Sequence, residues 1–281
     1  MIKIATDSVA NLPADVVQTF GIAVIPTYVS FGGETLRDGV DITPAQFYQR
    51  LAASAQLPVT TQPSVDDFEQ FYRRLLEENP GATILSLHLS RLFSGIIASA
   101  EQAAARLPQA DIRIFDTRSV SLGQGLMARE AAAMAEAGAS IETILQRLEA
   151  MRDGMQFYAA MDTLDYLAKG GRIGRAARLL GTLLDMKPVI TIRDGAVDAH
   201  SRQRSRARAL EALRSLPLEA ARGKSGLHLA VMHAACEEEA RALAEDLRTT
   251  LKPQVFLFGE MGPALGTYTG PGAIAVAWYA P

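Results

Sequence analysis

Short apolar runs alternate with longer stretches of helical periodicity along the first half of the chain. IKIA at 2–5, IAVI at 22–25, ILSL at 84–87 and IRIF at 112–115 are each four residues long and largely apolar. Such runs, bounded by turn formers, predict buried strands. Between them the sequence marks out helices. Asn11 and Pro13 open one that runs to about Phe20. Thr43-Pro44-x-Gln46 opens another as a capping box with proline at the first helical position. Ser64-x-x-Asp67 starts a third, which stops near Pro80-Gly81. Two more are predicted at about 122–137 and 140–153, separated by Gly138. Val29–Asp41, with its Gly-Gly pair and polar tail, reads as a hairpin or exposed flap. Strands alternating with helices in this way predict an α/β fold whose mainly parallel sheet is flanked by helices.

A chain of 281 residues is long for one core, and two domains are the better expectation. The boundary is placed near Asp153-Gly154, giving an α/β domain over 1–154 and a second over 155–281. The second opens with a strand at Gln156–Ala160. TLDYLAKGGRIGR at 163–175 follows, with Leu164, Leu167 and Ala168 on one helical face. Gly170-Gly171 stops that helix, and a second helix is predicted to run to about Leu184. Arg172, Arg175 and Arg178 would share one side of it. Further strands are predicted at Lys187–Ile192, Leu227–Met232, Val255–Phe258 and Ala273–Tyr279, with a helix at 237–250. Asp194-Gly195 predicts a two-residue hairpin turn. Ser201–Arg208 alternates arginine with small residues, as a solvated helix start or as a charge patch near a ligand. Gly262–Gly272 holds four glycines and two prolines. It is expected to be a loop that turns tightly or approaches something closely.

The stretch ILSLHLSRLFSGIIASA at 84–100 carries the most chemistry. A strand that enters a helix through Ser94-Gly95 directs hydroxyls and unpartnered amides at one spot, where the helix dipole is positive. That spot suits a carboxylate, with the rest of the chain building a slot for its tail. The other reading makes Ser94 only an N-cap. Upstream, Pro58-Val59-Thr60-Thr61-Gln62-Pro63-Ser64 is a rigid extended loop, because each proline fixes its own backbone and restrains the residue before it. Thr60 and Thr61 are therefore presented stiffly. Thr6-Asp7-Ser8, at a strand's C-terminal end, is either a ligand contact or a turn.

Composition narrows the classes. A net charge of −3 argues against general nucleic-acid binding. One cysteine, Cys236, excludes an internal disulfide and a Cys-rich metal site. The four histidines show no metal-ligand spacing, and His228 and His233 flank a predicted core strand. The sequence begins on a strand with no basic-then-apolar leader, and no apolar run is long enough to cross a bilayer, so a cytoplasmic location is expected.

Taken together, TDSVANLP at the start, TTQPS at 60–64, LSRLFSGIIASA at 89–100, DTRSVSLGQG at 116–125, TLDYLAKGGRIGR at 163–175, KPVI at 187–190 and GPALGTYTGPGA at 262–273 resemble the DegV family over nearly the whole chain. The resemblance implies a two-domain DegV-type fold, its second α/β domain related to the dihydroxyacetone kinase type. It implies a buried long-chain fatty acid, presented to a separate fatty acid kinase that phosphorylates the carboxylate. The chain would then be a ligand-binding subunit with no cofactor of its own, not an enzyme. Its partners would be the lipid, the kinase and, transiently, a membrane surface during loading. The residues implied at the carboxylate are Thr61, favoured by its presentation, or Thr60 as the alternative match to the family's threonine, with Ser94, the Gly95 N–H, Arg172, Arg204 from Gln203-Arg204-Ser205, and Tyr268. The basic stripe from Arg172 to Arg178 would dock an acidic partner surface.

Two departures from the family pattern bear on the head group. Ile96-Ile97 stands where the family usually has Thr-Tyr, so a hydroxyl is lost. Tyr268 stands where histidine is common, and a phenol offers a hydroxyl in place of an imidazole. Alternatives are a lipid or small-ligand carrier without kinase coupling, and a serine hydrolase using Ser94 with His88 as base. Against the hydrolase, G-x-S-x-G is absent and no acid is evident from the sequence to orient the histidine.

Overall fold

The computed structural model describes residues 1–180 and 186–281. The first half runs β1 (Ile2–Asp7), α1 (Ala14–Thr19), β2 (Ala23–Ile25), β3 (Tyr28–Phe31), β4 (Glu34–Arg37), α2 (Pro44–Ala53), β5 (Val59–Thr61), α3 (Val65–Glu78), β6 (Thr83–His88), α4 (Ile96–Ala105), β7 (Ile112–Asp116), α5 (Leu122–Glu136) and α6 (Ile141–Gly154). The second runs β8 (Gln156–Ala160), α7 (Asp165–Lys169), β9 (Lys187–Arg193), β10 (Ala196–Gln203), α8 (Arg206–Ala220), β11 (His228–His233), α9 (Glu237–Leu251), β12 (Val255–Glu260), α10 (Pro263–Thr269) and β13 (Ile274–Tyr279).

The short apolar runs of the first half form a parallel sheet in the order β2-β1-β6-β7. Ala5, Ile84, Leu85 and Leu87 are wholly excluded from solvent there, as expected of strands covered on both faces. On α3, Phe68, Phe71, Tyr72 and Leu75 recur at helical spacing and are all buried, each worth about 1.5–3 kcal/mol. Thr43 and Ser64 both complete the capping boxes that the sequence predicts. The flap is a hairpin of β3 and β4, turned by Gly32 and Gly33 at φ 56° and 94°.

The second half is a six-stranded sheet, β10-β9-β8-β13-β11-β12, antiparallel except for the β11–β12 pair. We propose that the domains divide as 1–154 and 155–281, between α6 and β8. One apolar core joins Ile4 and Leu87 to Phe157 and Met261, so the two halves share an interior. A second core lies wholly in the second half, around Leu229, Val231 and Trp278.

Four expectations need correction. Residues 59–61 are not a free loop but strand β5, paired antiparallel with β3. Residues 262–272 are not a loop throughout: α10 occupies most of the stretch, with proline in its first turn, an arrangement that favours helix entry. Ser201–Gln203 belongs to β10, and the helix begins after Ser205, whose side chain caps it by accepting from Arg208 N–H. The helix expected from Arg172 is a 3-10 helix over Gly174–Leu179, while the part predicted at 181–184 lies outside the described residues.

Candidate functional site

Between the halves lies a cavity of about 140 Å³. Its walls are largely apolar: Leu89 and Val120 from the first half meet Phe157, Met161, Leu167 and Ile190 from the second. Besides Thr27 and Thr269, its polar lining residues are Thr60, Thr61, Gln62, Ser94, Arg172 and Tyr268.

These last six side chains form a linked ring. Thr60 Oγ1 and Tyr268 Oη are 2.5 Å apart. The Arg172 guanidinium lies over the Tyr268 ring, 5.1 Å from its centroid. Arg172 Nε donates to Phe93 O at 3.3 Å, beside Ser94. Ser94 Oγ–H donates to Gln62 Oε1 at 3.3 Å, and Gln62 leads back along the chain to Thr61 and Thr60. Pairing of β5 with β3 sets the threonines in register, Thr60 opposite Val29 and Thr61 opposite Tyr28. Thr61 and Arg172 are exposed, and Thr60, Ser94 and Tyr268 are half-buried, so this ring stands at the surface end of the cavity.

The helix cap is Gly95, which offers no side-chain hydrogen bond. Ser94 is therefore not the N-cap, and the first amides of α4 carry the positive end of the dipole without a capping oxygen. A Cβ on Gly95 would stand 2.8 Å from Gln62 Oε1, so glycine lets that amide lie against the helix start. Gly95 itself is beside the cavity and not among its lining residues. Arg204 is exposed and is not among the cavity's lining residues. Ile96 and Ile97 are buried in the core.

Sequence reasoning missed Gln62, although it sits inside TTQPS. It also donates from Nε2 to Ser99 Oγ at 3.0 Å. Thr27 and Asp38 were missed too. Thr27 lines the cavity and donates from Oγ1 to Asp38 Oδ2 at 3.3 Å. Asp38 also accepts from Ala264 N–H at 3.1 Å, holding the first turn of α10. Burial pushes its carboxyl up to about 6, against the lowering effect of that amide. No signal short of the fold marks this aspartate among the polar residues of the flap.

The basic stripe divides. Arg172 turns to the cavity, whereas Arg175 and Arg178 reach Asp198 at 3.2 and 3.0 Å. A 3-10 turn has three residues per turn, which places positions 175 and 178 above one another. Burial alone would raise the Asp198 carboxyl, but the Ala199 N–H and the two guanidiniums outweigh it and lower it. The two arginines also donate to Arg193 O and Ala199 O. They clamp the 3-10 turn onto the β9–β10 hairpin, so charge reversal there perturbs the fold along with any partner surface.

The hydrolase geometry is not formed. An acid does orient His88, contrary to expectation: His88 Nδ1 lies 2.9 Å from Asp7 Oδ2. Its other nitrogen meets Ser86 Oγ at 2.8 Å, and all three residues are fully buried. Ser94 bonds to Gln62 instead. Asp7 also caps the 3-10 turn Ser8–Ala10 through Val9 N–H, so Thr6-Asp7-Ser8 leads into a turn, and none of the three lines the cavity. His228 and His233 are core residues of β11, and burial lowers the pKa of both.

Among the described residues no helix is long and apolar enough to cross a membrane. Nor do three or more His, Cys, Asp or Glu side chains among them gather as a metal site.

The chain is similar to known proteins along its whole length. A DegV domain-containing protein of Deinococcus radiodurans is 35% identical over 276 residues, covering 98% of this chain and 97% of its own. A fatty-acid-binding DegV family protein from Thermus thermophilus superposes with a TM-score of 0.93 at 36% identity, over 100% of this chain and 99% of that one. DegV of Bacillus subtilis, described as a fatty acid binding protein, superposes at 0.90 with 30% identity, again over 100% and 99%. The DegV family, described as uncharacterised proteins, matches residues 1–281. The chain belongs to the DegV family.

Proposed function

We propose that this protein binds a long-chain fatty acid and presents its carboxylate to a separate fatty acid kinase. One observation carries the reading: an apolar cavity ends in a surface ring of hydroxyls and one guanidinium. A buried carboxylate must be hydrogen-bonded or paired, or it neutralises. Hydroxyls of Thr60 or Thr61 and Ser94, the Gly95 N–H and the Arg172 charge meet that need together. Tyr268 orders Thr60 from the opposite side. Arg204 does not line the cavity, and its part at the carboxylate rests on the family resemblance. The tail supplies affinity, at about 0.8 kcal/mol for each CH₂ removed from water.

The binding of fatty acids by similar proteins from Thermus thermophilus and Bacillus subtilis supports the ligand class. The exposed position of the ring supports presentation, because a partner's active site can reach a head group held there. Phosphorylation to an acyl phosphate takes ATP and Mg²⁺ on the partner, since this sequence has no G-x-x-x-x-G-K-[ST] loop. Val59 and Leu92 are 66% and 63% exposed, and they flank Thr60 and Phe93. Exposed apolar side chains next in sequence to residues of the cavity suit brief contact with a membrane surface during loading.

The test has two stages. Native mass spectrometry of the purified protein is expected to show one fatty acid per chain. A polar ligand, or no lipid after incubation with oleate, removes the reading. The loaded protein is then mixed with a fatty acid kinase catalytic protein and Mg-ATP, where acyl phosphate is expected. Lipid binding without acyl phosphate formation leaves a carrier with no kinase coupling.

A further inference from the structure

A second, polar cleft of about 380 Å³ lies on the other side of the wall formed by Phe157 and Ile192, which line both spaces. Its charged residues come from both halves of the chain, Arg118, Arg152 and Asp153 from the first and Arg193 and Asp194 from the second, and Ser119 brings one of its hydroxyls. None of their side chains lines the apolar cavity.

The arginines of this cleft are unequally committed. Arg152 is paired with Asp153, Nε to Oδ1 at 3.2 Å. Asp194 lies 3.9 Å from Arg175. The guanidiniums of Arg118 and Arg193 have neither ion pair nor hydrogen bond among the described residues. Beside them Ser119 is 2% exposed, and its buried Oγ likewise lacks a hydrogen-bond partner among the described residues. An unpaired buried hydroxyl costs about 1–3 kcal/mol unless something else satisfies it.

The junction that carries these groups is built. The β9–β10 turn docks on the first half through Ser90 Oγ–H, which donates to Gly195 O at 2.7 Å. A Cβ on Gly195 would come within 2.5 Å of Ser90 Oγ and 3.5 Å of Arg118 Cβ, so only glycine permits this approach. Arg118 itself is held at φ 49°, a left-handed conformation costly for a long side chain. Strain of that kind gathers where a side chain must be aimed.

We propose that this cleft binds a small soluble molecule carrying a phosphate group, held between Arg118 and Arg193, with the Ser119 side chain turning from its place against Gly123 to donate Oγ–H to a phosphate oxygen. Guanidinium forks match phosphate oxygens in pairs, and a phosphomonoester brings about −1.5 to −2 of charge to two unmatched cations. The volume lies within the range of small-molecule sites. A nucleobase has no platform here. Of the cleft's aromatics, Phe157 is buried, and Tyr158 already stacks on Trp278 at 5.4 Å and meets His200 edge-on at 4.8 Å. The expected ligand therefore carries phosphate on a compact polar body.

Isothermal titration of the full chain with inorganic phosphate and with glycerol 3-phosphate tests this. Saturable binding of glycerol 3-phosphate is expected, weakened at least tenfold in Arg118→Gln/Arg193→Gln and about three- to tenfold in Ser119→Ala. Each single arginine variant should fall between. Retained oleate binding, by residues outside the cleft, certifies that a variant is folded. If the double variant fails that check, the single variants carry the test. No saturable heat with the wild type overturns the proposal, as does equal affinity in the variants. Binding to vesicles containing phosphatidic acid but not to glycerol 3-phosphate also overturns it, because the site would then read a membrane and not a soluble molecule.

Discussion

The Thr60 and Tyr268 side-chain oxygens sit 2.5 Å apart, although 208 positions separate the two residues. This contact ties the edge strand β5 to helix α10 at the mouth of the cavity. In such a pair one hydroxyl gives its proton to the other, so only one of them remains free to donate to an incoming carboxylate. Thr60 lies on the strand beside Gln62 and Ser94, and is expected to be the one that turns to the head group. A hydrogen bond to a charged group is worth about 1.5–3 kcal/mol, so Thr60→Val should weaken oleate binding about 10- to 100-fold. Tyr268→Phe removes the phenol but frees Thr60, and the loss should stay within about fivefold, under 1 kcal/mol. Fluorescent fatty acid displacement measures both. A larger loss in Tyr268→Phe than in Thr60→Val would put the head group on the phenol.

The cavity volume of about 140 Å³ sets a second expectation. A space of about 150 Å³ in another protein takes benzene, so a full acyl chain must displace wall side chains. Met161, Met261 and Leu265 line the cavity, and unbranched methionines adjust at small cost. The early methylenes should each contribute about 0.8 kcal/mol, nearly fourfold in affinity. Later ones must also open the wall and should contribute less. Dissociation constants from octanoate to stearate would show the slope flattening. A constant fourfold gain per methylene to eighteen carbons would mean that the wall offers no resistance.

Much of this site can be read from the sequence because its parts are local. Thr60 and Thr61 stand between two prolines, and Ser94-Gly95 joins an apolar strand to an apolar helix. What escapes reading depends on contacts between distant segments. No periodicity tells that Asp38 will sit under the first turn of α10, or that Asp7 will reach His88 on the neighbouring strand. The 262–272 segment misleads for a different reason. Its glycines suggest a loop, yet Pro263 begins a helix, and Gly266 is there for close packing. A Cβ on Gly266 would meet Phe47 at 2.6 Å and Tyr48 at 2.8 Å. Glycine count alone cannot separate a turn from a crowded helix.

The same reasoning makes Gly170 a test of how the mouth is held. Its backbone is right-handed at φ −78°, so alanine there is conformationally acceptable. Yet its Cβ would overlap the Tyr268 ring at Cδ1 and stand 2.6 Å from Cε1. Gly170→Ala should push the ring off Thr60, at about 1–3 kcal/mol of stability, and weaken oleate binding at least as much as Tyr268→Phe does. Gly171 is the control. It has φ +70° and nothing within 4 Å of its Cβ, so Gly171→Ala should cost about 1–2 kcal/mol in backbone strain and leave oleate affinity unchanged. Urea denaturation and oleate titration of both variants separate the effects. Unchanged affinity in Gly170→Ala would show that the ring moves aside without consequence.

Asp38 predicts a pH dependence of unusual sign. Its carboxyl titrates at about 6 in the folded protein and at 3.8 as a free side chain, burial being the main cause. Between these values the native state holds a proton that the unfolded state has released, so stability falls as pH rises through the window. The penalty is absent below about 4 and complete above about 6, where it reaches about 3 kcal/mol. An asparagine at this position would still accept from Thr27 and from Ala264 N–H, and it carries no charge to desolvate. Asp38→Asn should therefore match the wild type near pH 4 and exceed it by up to about 3 kcal/mol at pH 7, measured by urea denaturation at both values. Comparing the two proteins cancels the titration of every other carboxylate. A difference that does not change with pH, or that favours the wild type at pH 7, would mean that the Thr27 and Ala264 hydrogen bonds already compensate the buried charge.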